Sequence, residues 1–424
     1  MSKAPLMSLE SALEQVLLQA RAQGLSTETI STFDGLGRVL SVPLVSPIDV
    51  PSQDNTAMDG YAVRSEDLAQ GWGQVGRELK VTQRIPAGLT GQALRSGEAA
   101  RIFTGAWIPE GATAVVMQED AVLSESGDLR IEKPVTHGQW IRRRGEDVHQ
   151  GEIVIHQGER LTAAALGLAA SVGAAHLEVS RKPRVALFST GDELVMPGEV
   201  LPAEMKPGAI YNSNRFFLKA MLAQLGCEVE DHGIVPDNRL ATIEALQKAA
   251  QHCDVILSSG GVSVGEEDHV KPAVQSLGAL NLWSLSMKPG KPFALGHMDV
   301  QASTSGIHQS KTVHFIGLPG NPVSSYVTFN VLVRPFLLAL QGAKNVEPHA
   351  YALQAHFDLN KSDVRREFLR VKLNSQGGLD LFQNQSSGVL TSCVWADGLV
   401  DNPAHHVIKR GDWVRFLPFS EMSQ

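Results

Sequence analysis

Residues 254–268 read Asp-Val-Ile-Leu-Ser-Ser-Gly-Gly-Val-Ser-Val-Gly-Glu-Glu-Asp, and the change of texture within them decides the fold. Val255, Ile256 and Leu257 make the short apolar run expected of a buried strand. Ser258, Ser259, Gly260 and Gly261 follow at once. Glycines let a backbone approach a bulky anion and turn its N–H groups inward. Glu266, Glu267 and Asp268 then open an expected helix and supply carboxylates of the kind that hold a hard cation such as Mg²⁺. What this anion loop serves depends on whether neighbouring strands end in the same way.

They do. Strand–helix alternation surrounds the segment, with strands expected at 184–189, 227–235, 255–257 and 313–317 and helices at 216–225, 239–250 and 322–340. Such alternation implies a parallel, doubly wound α/β sheet with right-handed crossovers. Ligands bind such sheets beyond the carboxyl ends of the strands. STGDE (189–193) follows the first strand and brings Ser189, Thr190, Gly191 and Glu193; Asp237 stands beyond the second. GLPGNPVS (317–324) follows the last, with Asn321 as N-cap and Pro322 as first helical residue, a helix start that favours a phosphate. MKPGKP (287–292) offers Lys288 and Lys291 on a segment stiffened by proline. The polar stretch 299–311 reads as a surface excursion between two strands.

Outside this zone the texture changes. Ser8 is an expected N-cap for a helix with Leu9, Leu13, Val16, Leu17 and Ala20 on one face. Helical texture returns at 161–172, in a run to 179 too broken by Thr162, Ser171 and His176 for a membrane span and expected as a buried helix leading into a strand. Between the two helical parts, 51–140 is rich in glycine and short β-like runs such as 79–83 and 114–117. A small β domain inserted into one elongated helical unit accounts for this order. The tail alternates at 367–373 and turns at KRGD (409–412), which predicts a small barrel or sandwich.

At 424 residues the chain needs several cores, and 43% hydrophobic with 19% charged residues is an ordinary soluble composition. A net charge of -8 disfavours a general nucleic-acid binder, which needs a basic footprint. Three widely spaced cysteines without a CxxC pair argue against a structural zinc or disulfide framework and fit a reducing cytoplasm. No GxxxxGK[ST], GxSxG or HExxH motif occurs.

Taken in order, DNTAMDGYAV (54–63), RIFTGA (101–106), AVVMQED (114–120), IRRRGEDV (141–148), STGDEL (189–194), SSGGVSVGEED (258–268), MKPGKP (287–292), GLPGNPVSS (317–325) and SSGVLTSCVWADGL (386–399) resemble the molybdopterin molybdenumtransferases, the MoeA-type family related to the gephyrin E domain. The resemblance covers nearly the whole chain. It implies a multidomain α/β and β protein: a helical dimerisation unit at 1–50 and 141–179, an inserted β domain at 51–140, a parallel α/β molybdopterin-binding domain at 180–340 and a C-terminal β-barrel at 341–424. It further implies a cytoplasmic homodimer that binds adenylylated molybdopterin, uses Mg²⁺ and loads molybdate with release of AMP. Molybdopterin adenylyltransferase and molybdoenzyme apoproteins or their chaperones are the implied partners, with no nucleic acid and no membrane.

By the same resemblance Glu193, Asp237 and Asp268 come from one subunit and Asp59, Thr104 and Asp147 from its partner. Asp59, Asp147, Glu193, Asp268 and Lys288 are the expected catalytic residues, with Glu193 and Asp268 at the metal. Ligand contacts are expected from Thr104, Ser189, Thr190, Gly191, Asp237, Ser259, Gly260, Gly261, Lys291, Pro319, Pro322 and Ser387. One departure is Ser284, where the family often carries a basic residue. The competing readings are a molybdopterin adenylyltransferase, which lacks the inserted β zone, and a scaffold built on the same domain set.

Overall fold

The structure is a computed structural model that describes residues 6–74, 77–236, 238–261, 269–304 and 307–422, with backbone alone for 301–304 and 307–310. Its central sheet is formed by β1 (Arg184–Thr190), β2 (Glu228–Val235), β3 (Val255–Ser259), β4 (Gly278–Ser284), β5 (Pro292–Thr304) and β6 (Ile307–Leu318). Their order across the sheet is β2-β1-β3-β6-β5-β4. The strands β2, β1, β3 and β6 run parallel, as the alternation predicts. The sheet as a whole is mixed, because β5 is antiparallel to β6 and β4 is antiparallel to β5.

Period-2 geometry sorts the strand residues onto two cores. Val185, Leu187, Val255, Leu257, Ile316 and Leu318 meet the helices Ser213–Gln224 and 322–340 on one face. Ala186, Phe188, Ile256, Val313 and Phe315 meet Arg239–His252 and Val270–Leu277 on the other. The helix 322–340 is long and apolar enough to span a bilayer, yet it lies inside the core, where Phe329, Leu332 and Phe336 are buried. Burying each such side chain contributes roughly 1.5–3 kcal/mol. Of the stretch 299–311, expected as an excursion, 299–304 continue β5 and 307–311 begin β6, the two strands pairing from Ala294↔Gly317 to Thr304↔Ile307. Ladder pairing satisfies its backbone, so polar composition does not prevent a strand there.

The unit formed by 1–50 and 141–179 is less helical than expected. Thr27–Ser31 pairs with His176–Ser180, and Leu44–Val45 pairs with Ile153–Ile155. The helix Leu9–Gln23, capped by Ser8 as predicted, packs against the α/β domain instead. Its Gln19 Nε2 donates to the Gly296 carbonyl at 3.1 Å, and its Gln23 Nε2 donates to that of Thr312 at 2.7 Å. The helix Ala163–Ser171 forms and leads into a strand, but only Ala169 within it is buried, against the expectation of a buried helix. Ala165, Leu166 and Leu168 pack half-buried against the apolar cluster around Leu40 and Leu161, while Ala163, Ala164, Gly167 and Ala170 are exposed.

The insertion at 51–140 is a β domain, with the order Lys80–Ile85, Glu98–Ile102, Gly60–Val63, Ala114–Met117 and an apolar cluster on each side. In the tail, Arg366–Leu373, Gly398–Asn402, Trp413–Pro418 and Tyr351–Gln354 form a sheet whose opposite edge is Met287–Lys288, lent by the α/β domain. The expected barrel is not closed among the described residues. Single bridges, Ala355↔Leu379 and Leu359↔Ile408, supplement an open ladder.

Candidate active site

Because β1, β3 and β6 are adjacent and parallel, Thr190, Ser259 and Leu318 end on one edge of the sheet. A cleft of about 1120 Å³ opens there. It is lined by Thr190, Gly191, Glu193, Ser259, Gly260, Gly261, Lys288, Lys291, Pro319, Pro322 and Ser387. These are residues picked out from the sequence. Gly260 and Gly261 have φ of +92° and +69°, and a Cβ on Gly260 would stand 2.9 Å from the Thr190 carbonyl. Only glycine lets this wall turn so tightly. The Gly260 N–H donates to the Leu318 carbonyl at 3.0 Å, tying two strand ends together.

Asn321 occupies the N-cap position and Pro322 the first turn, as expected, though the Asn321 side chain makes no capping bond. The N–H of Val323 instead donates to the Ser387 carbonyl at 2.9 Å. The C-terminal domain thus satisfies part of that helix start and closes one side of the cleft with Gln385, Ser386, Ser387 and Gly388.

The cations of the cleft are Lys288, Lys291 and Arg365. Lys288 is held by carboxylates: its Nζ lies 3.1 Å from Glu367 and 3.3 Å from Asp363. Arg365 binds Asp363 through Nε at 3.1 Å and its second terminal nitrogen at 3.2 Å. That bond holds the Asp363 carboxyl far below the usual carboxylate range. Lys291 is exposed. Glu193 is an exposed carboxylate on the lining.

Other expected residues lie elsewhere. Ser189 is fully buried within β1, its hydroxyl without a partner among the described residues, and does not line the cleft. Asp59 and Thr104 come together on the inserted domain, where the Thr104 N–H and Oγ1 donate to Asp59 Oδ1 at 2.8 and 2.7 Å. These bonds, the backbone one foremost, lower the Asp59 pKa. Asp147 is exposed, with its backbone N–H on the Val50 carbonyl. None of these three lines the cleft of its own chain. Asp237 and Asp268 lie outside the described residues. Two arginines of the segment IRRRGEDV are committed locally: Arg143 pairs with Asp54 at 2.6 Å, and Arg144 pairs with Asp49. Among the described residues no group of three or more His, Cys, Asp or Glu side chains converges on a metal position.

Sequence reasoning missed Arg365, Asn212 and Asn214. Asn212 caps Ser213–Gln224, accepting from the Arg215 N–H, and is buried, its Nδ2 without a partner among the described residues. Asn214 Nδ2 donates to both Ser259 Oγ and the Gly320 carbonyl. An Asn before the periodic Phe217, Leu218 and Leu222 was a readable cap signal. Arg365 carries no local signal.

Strand ends joined to glycine turns, a proline-led helix and three cations give an α/β protein a cleft at its switch edge, with groups suited to an anionic ligand. Residues 186–339 match the family model described as "Probable molybdopterin binding domain", 7–173 the "MoeA N-terminal region (domain I and II)" and 352–419 the "MoeA C-terminal region (domain IV)". A molybdopterin molybdenumtransferase of Haemophilus influenzae is 40% identical over 408 residues, covering 93% of this chain and 95% of that one. One from Nostoc is 36% identical over 384 residues, covering 89% and 85%. Among solved structures, a molybdopterin biosynthesis MoeA protein from Pyrococcus horikoshii superposes with a TM-score of 0.80 at 28% identity, covering 98% of this chain and all (100%) of that one. The chain belongs to the molybdopterin molybdenumtransferase (MoeA) family of molybdenum cofactor biosynthesis, and it is an enzyme of the transferase class.

Proposed function

We propose that the cleft binds adenylylated molybdopterin and that the chain inserts molybdate into it with release of AMP. The observation that carries this reading is the meeting of three parallel strand ends with Lys288, Lys291 and Arg365 in one cleft. A pyrophosphate link repels an incoming oxyanion, and fixed cations offset that repulsion more strongly in a recessed site than in water. The Glu193 carboxylate is the described group suited to Mg²⁺, with Asp268 the second candidate from the sequence. Mg²⁺ ordinarily takes one or two carboxylates together with substrate phosphates, so this donor set fits it. When bound, the ion would neutralise charge on the phosphates and on the leaving group.

The active unit in this proposal is a cytoplasmic homodimer. Asp59 and Thr104 on the inserted domain and Asp147 just beyond it do not line their own cleft, and they would serve the cleft of a second copy. Phe33 is 97% exposed and Leu36 67% exposed, and beside them the helix Ala163–Ser171 exposes Ala163, Ala164, Gly167 and Ala170, which supports such a contact. The proposal also includes molybdopterin adenylyltransferase as supplier and molybdoenzyme apoproteins or their chaperones as recipients.

Purified protein given adenylylated molybdopterin, molybdate and Mg²⁺ should release AMP only when molybdate is present. Glu193→Ala and Asp268→Ala should each abolish that release. Binding without turnover would point to the scaffold reading, and near-normal turnover in both variants would remove the two carboxylates from the reaction.

A further inference from the structure

Arg84 and Arg101 are register partners on the parallel strands Lys80–Ile85 and Glu98–Ile102 of the inserted domain. Paired residues on neighbouring strands project from the same side of a sheet. Two like charges are therefore carried by neighbouring positions on one side of the sheet, an arrangement that destabilises it unless something offsets the repulsion. Both stack on one ring: the guanidinium carbon lies 4.4 Å from the Phe103 centroid for Arg84 and 4.7 Å for Arg101. Arg101 also donates to the Gly60 carbonyl at 3.1 Å and to Gln118 Oε1 at 2.7 Å, both neutral acceptors. Among the described residues neither arginine forms an ion pair. Asp59, whose charge is felt by Arg101, has Oδ1 engaged twice by Thr104.

We propose that Arg84, Arg101 and Phe103 form a seat for a tetrahedral oxyanion, either a phosphate group or molybdate, on the inserted domain. An oxyanion between the two guanidinium groups turns their repulsion into two attractive, charge-assisted contacts. The Phe103 ring holds both planes in place beforehand, which lowers the entropy cost of ordering them. Thr104 and its Asp59 contact follow immediately in the chain, so the seat adjoins the half-site offered to a second copy. That last extension rests on the dimer reading, whereas the seat itself does not.

Calorimetric titration of the full-length protein at low salt, with inorganic phosphate and separately with molybdate, tests the seat. Saturable binding is expected, with one component weakened tenfold or more in Arg84→Gln and retained in the cleft variant Lys291→Gln. Arg84→Glu separates this from misfolding, because it replaces a repelling pair with an attracting one. Its Tm in anion-free buffer should equal or exceed that of the wild type, while the anion-induced rise in Tm disappears. Tighter binding of phosphate assigns the seat to a phosphate-bearing ligand, and tighter binding of molybdate assigns it to the metal oxyanion; each supports the seat. Wild-type binding unchanged in both Arg84 variants, or no saturable binding of either anion, overturns it.

Discussion

Asn214 donates through Nδ2 to Ser259 Oγ at 2.9 Å, and the same nitrogen donates to the Gly320 carbonyl at 2.8 Å. One buried amide thereby sets the spacing between the end of β3 and the proline loop after β6. Asn214→Asp keeps the shape but faces a carbonyl with a carboxylate. We expect a loss of about 1–3 kcal/mol in urea unfolding and at least a tenfold fall in molybdate-dependent AMP release. Unchanged turnover would show that this spacing does not matter to the site.

The glycine wall predicts a contrast. Gly260→Ala combines φ of +92° with contact against Thr190, whereas Gly105→Ala, at φ +83°, meets nothing within 4 Å. Backbone strain alone costs on the order of 1 kcal/mol or more. Gly260→Ala should therefore lower Tm more than Gly105→Ala, and equal shifts in a thermal scan would contradict the packing described.

Lys288 and Glu367 form a pair in which only the lysine reaches solvent, with side chains 43% and 7% exposed. Lys288→Gln leaves the buried carboxylate without its nearest cation, an expected cost of roughly 1–3 kcal/mol after allowance for exposure. Adding Glu367→Gln should recover much of that loss. A double-mutant cycle with no coupling energy would refute the pairing.

His314 is buried beside Gln19, 5.0 Å edge-on to the Phe336 ring, with His297 as its neighbour on β5. Burial first, then His297, pushes its pKa down to about 4. Below an ordinary histidine pKa of about 6.5, the unfolded chain binds a proton that the folded one refuses. Stability from this group is thus intact above pH ~6.5 and declines as pH falls toward ~4, by on the order of 2–3 kcal/mol. Chemical denaturation of His314→Gln should show a flatter profile across that window. A slope equal to that of the wild type would assign the pH dependence to other groups.

Phe33 gives the dimer its simplest test. Phe33→Asp places a charge where 97% of an aromatic side chain is exposed, so it should leave the monomer's fold intact and shift the protein to half its mass in light scattering. A wild-type monomer at micromolar concentration would dispose of the dimer proposal.

The strand ends were legible because strands and glycine turns announce themselves locally: Val255 to Leu257 are apolar and β-prone, and Gly260 and Gly261 must be glycine. Strand β5 and the short strand Met287–Lys288 were not, because the polar 299–311 and the lysine–proline segment 287–292 read as a loop and a turn until their hydrogen-bonding partners are known. The same holds for Arg365, whose place beside Lys288 depends on how a separate sheet folds against the α/β domain. The N-terminal helix was found from Ser8 and its apolar face, but periodicity cannot tell which domain that face meets. Asp59 and Thr104 were named only through resemblance, although their mutual contact is local to the inserted domain.

The two-residue strand Met287–Lys288 is shared property: the α/β domain supplies it, and Arg366 and Glu367 of the tail hydrogen-bond it in parallel. The lysine at the mouth of the cleft is consequently sewn into the hem of another domain. A minimised fragment ending near residue 340 would keep its sheet but lose one wall, a counter-charge and the clasp on its own helix start. Evolution or engineering that moves the tail must retune the pocket at the same time.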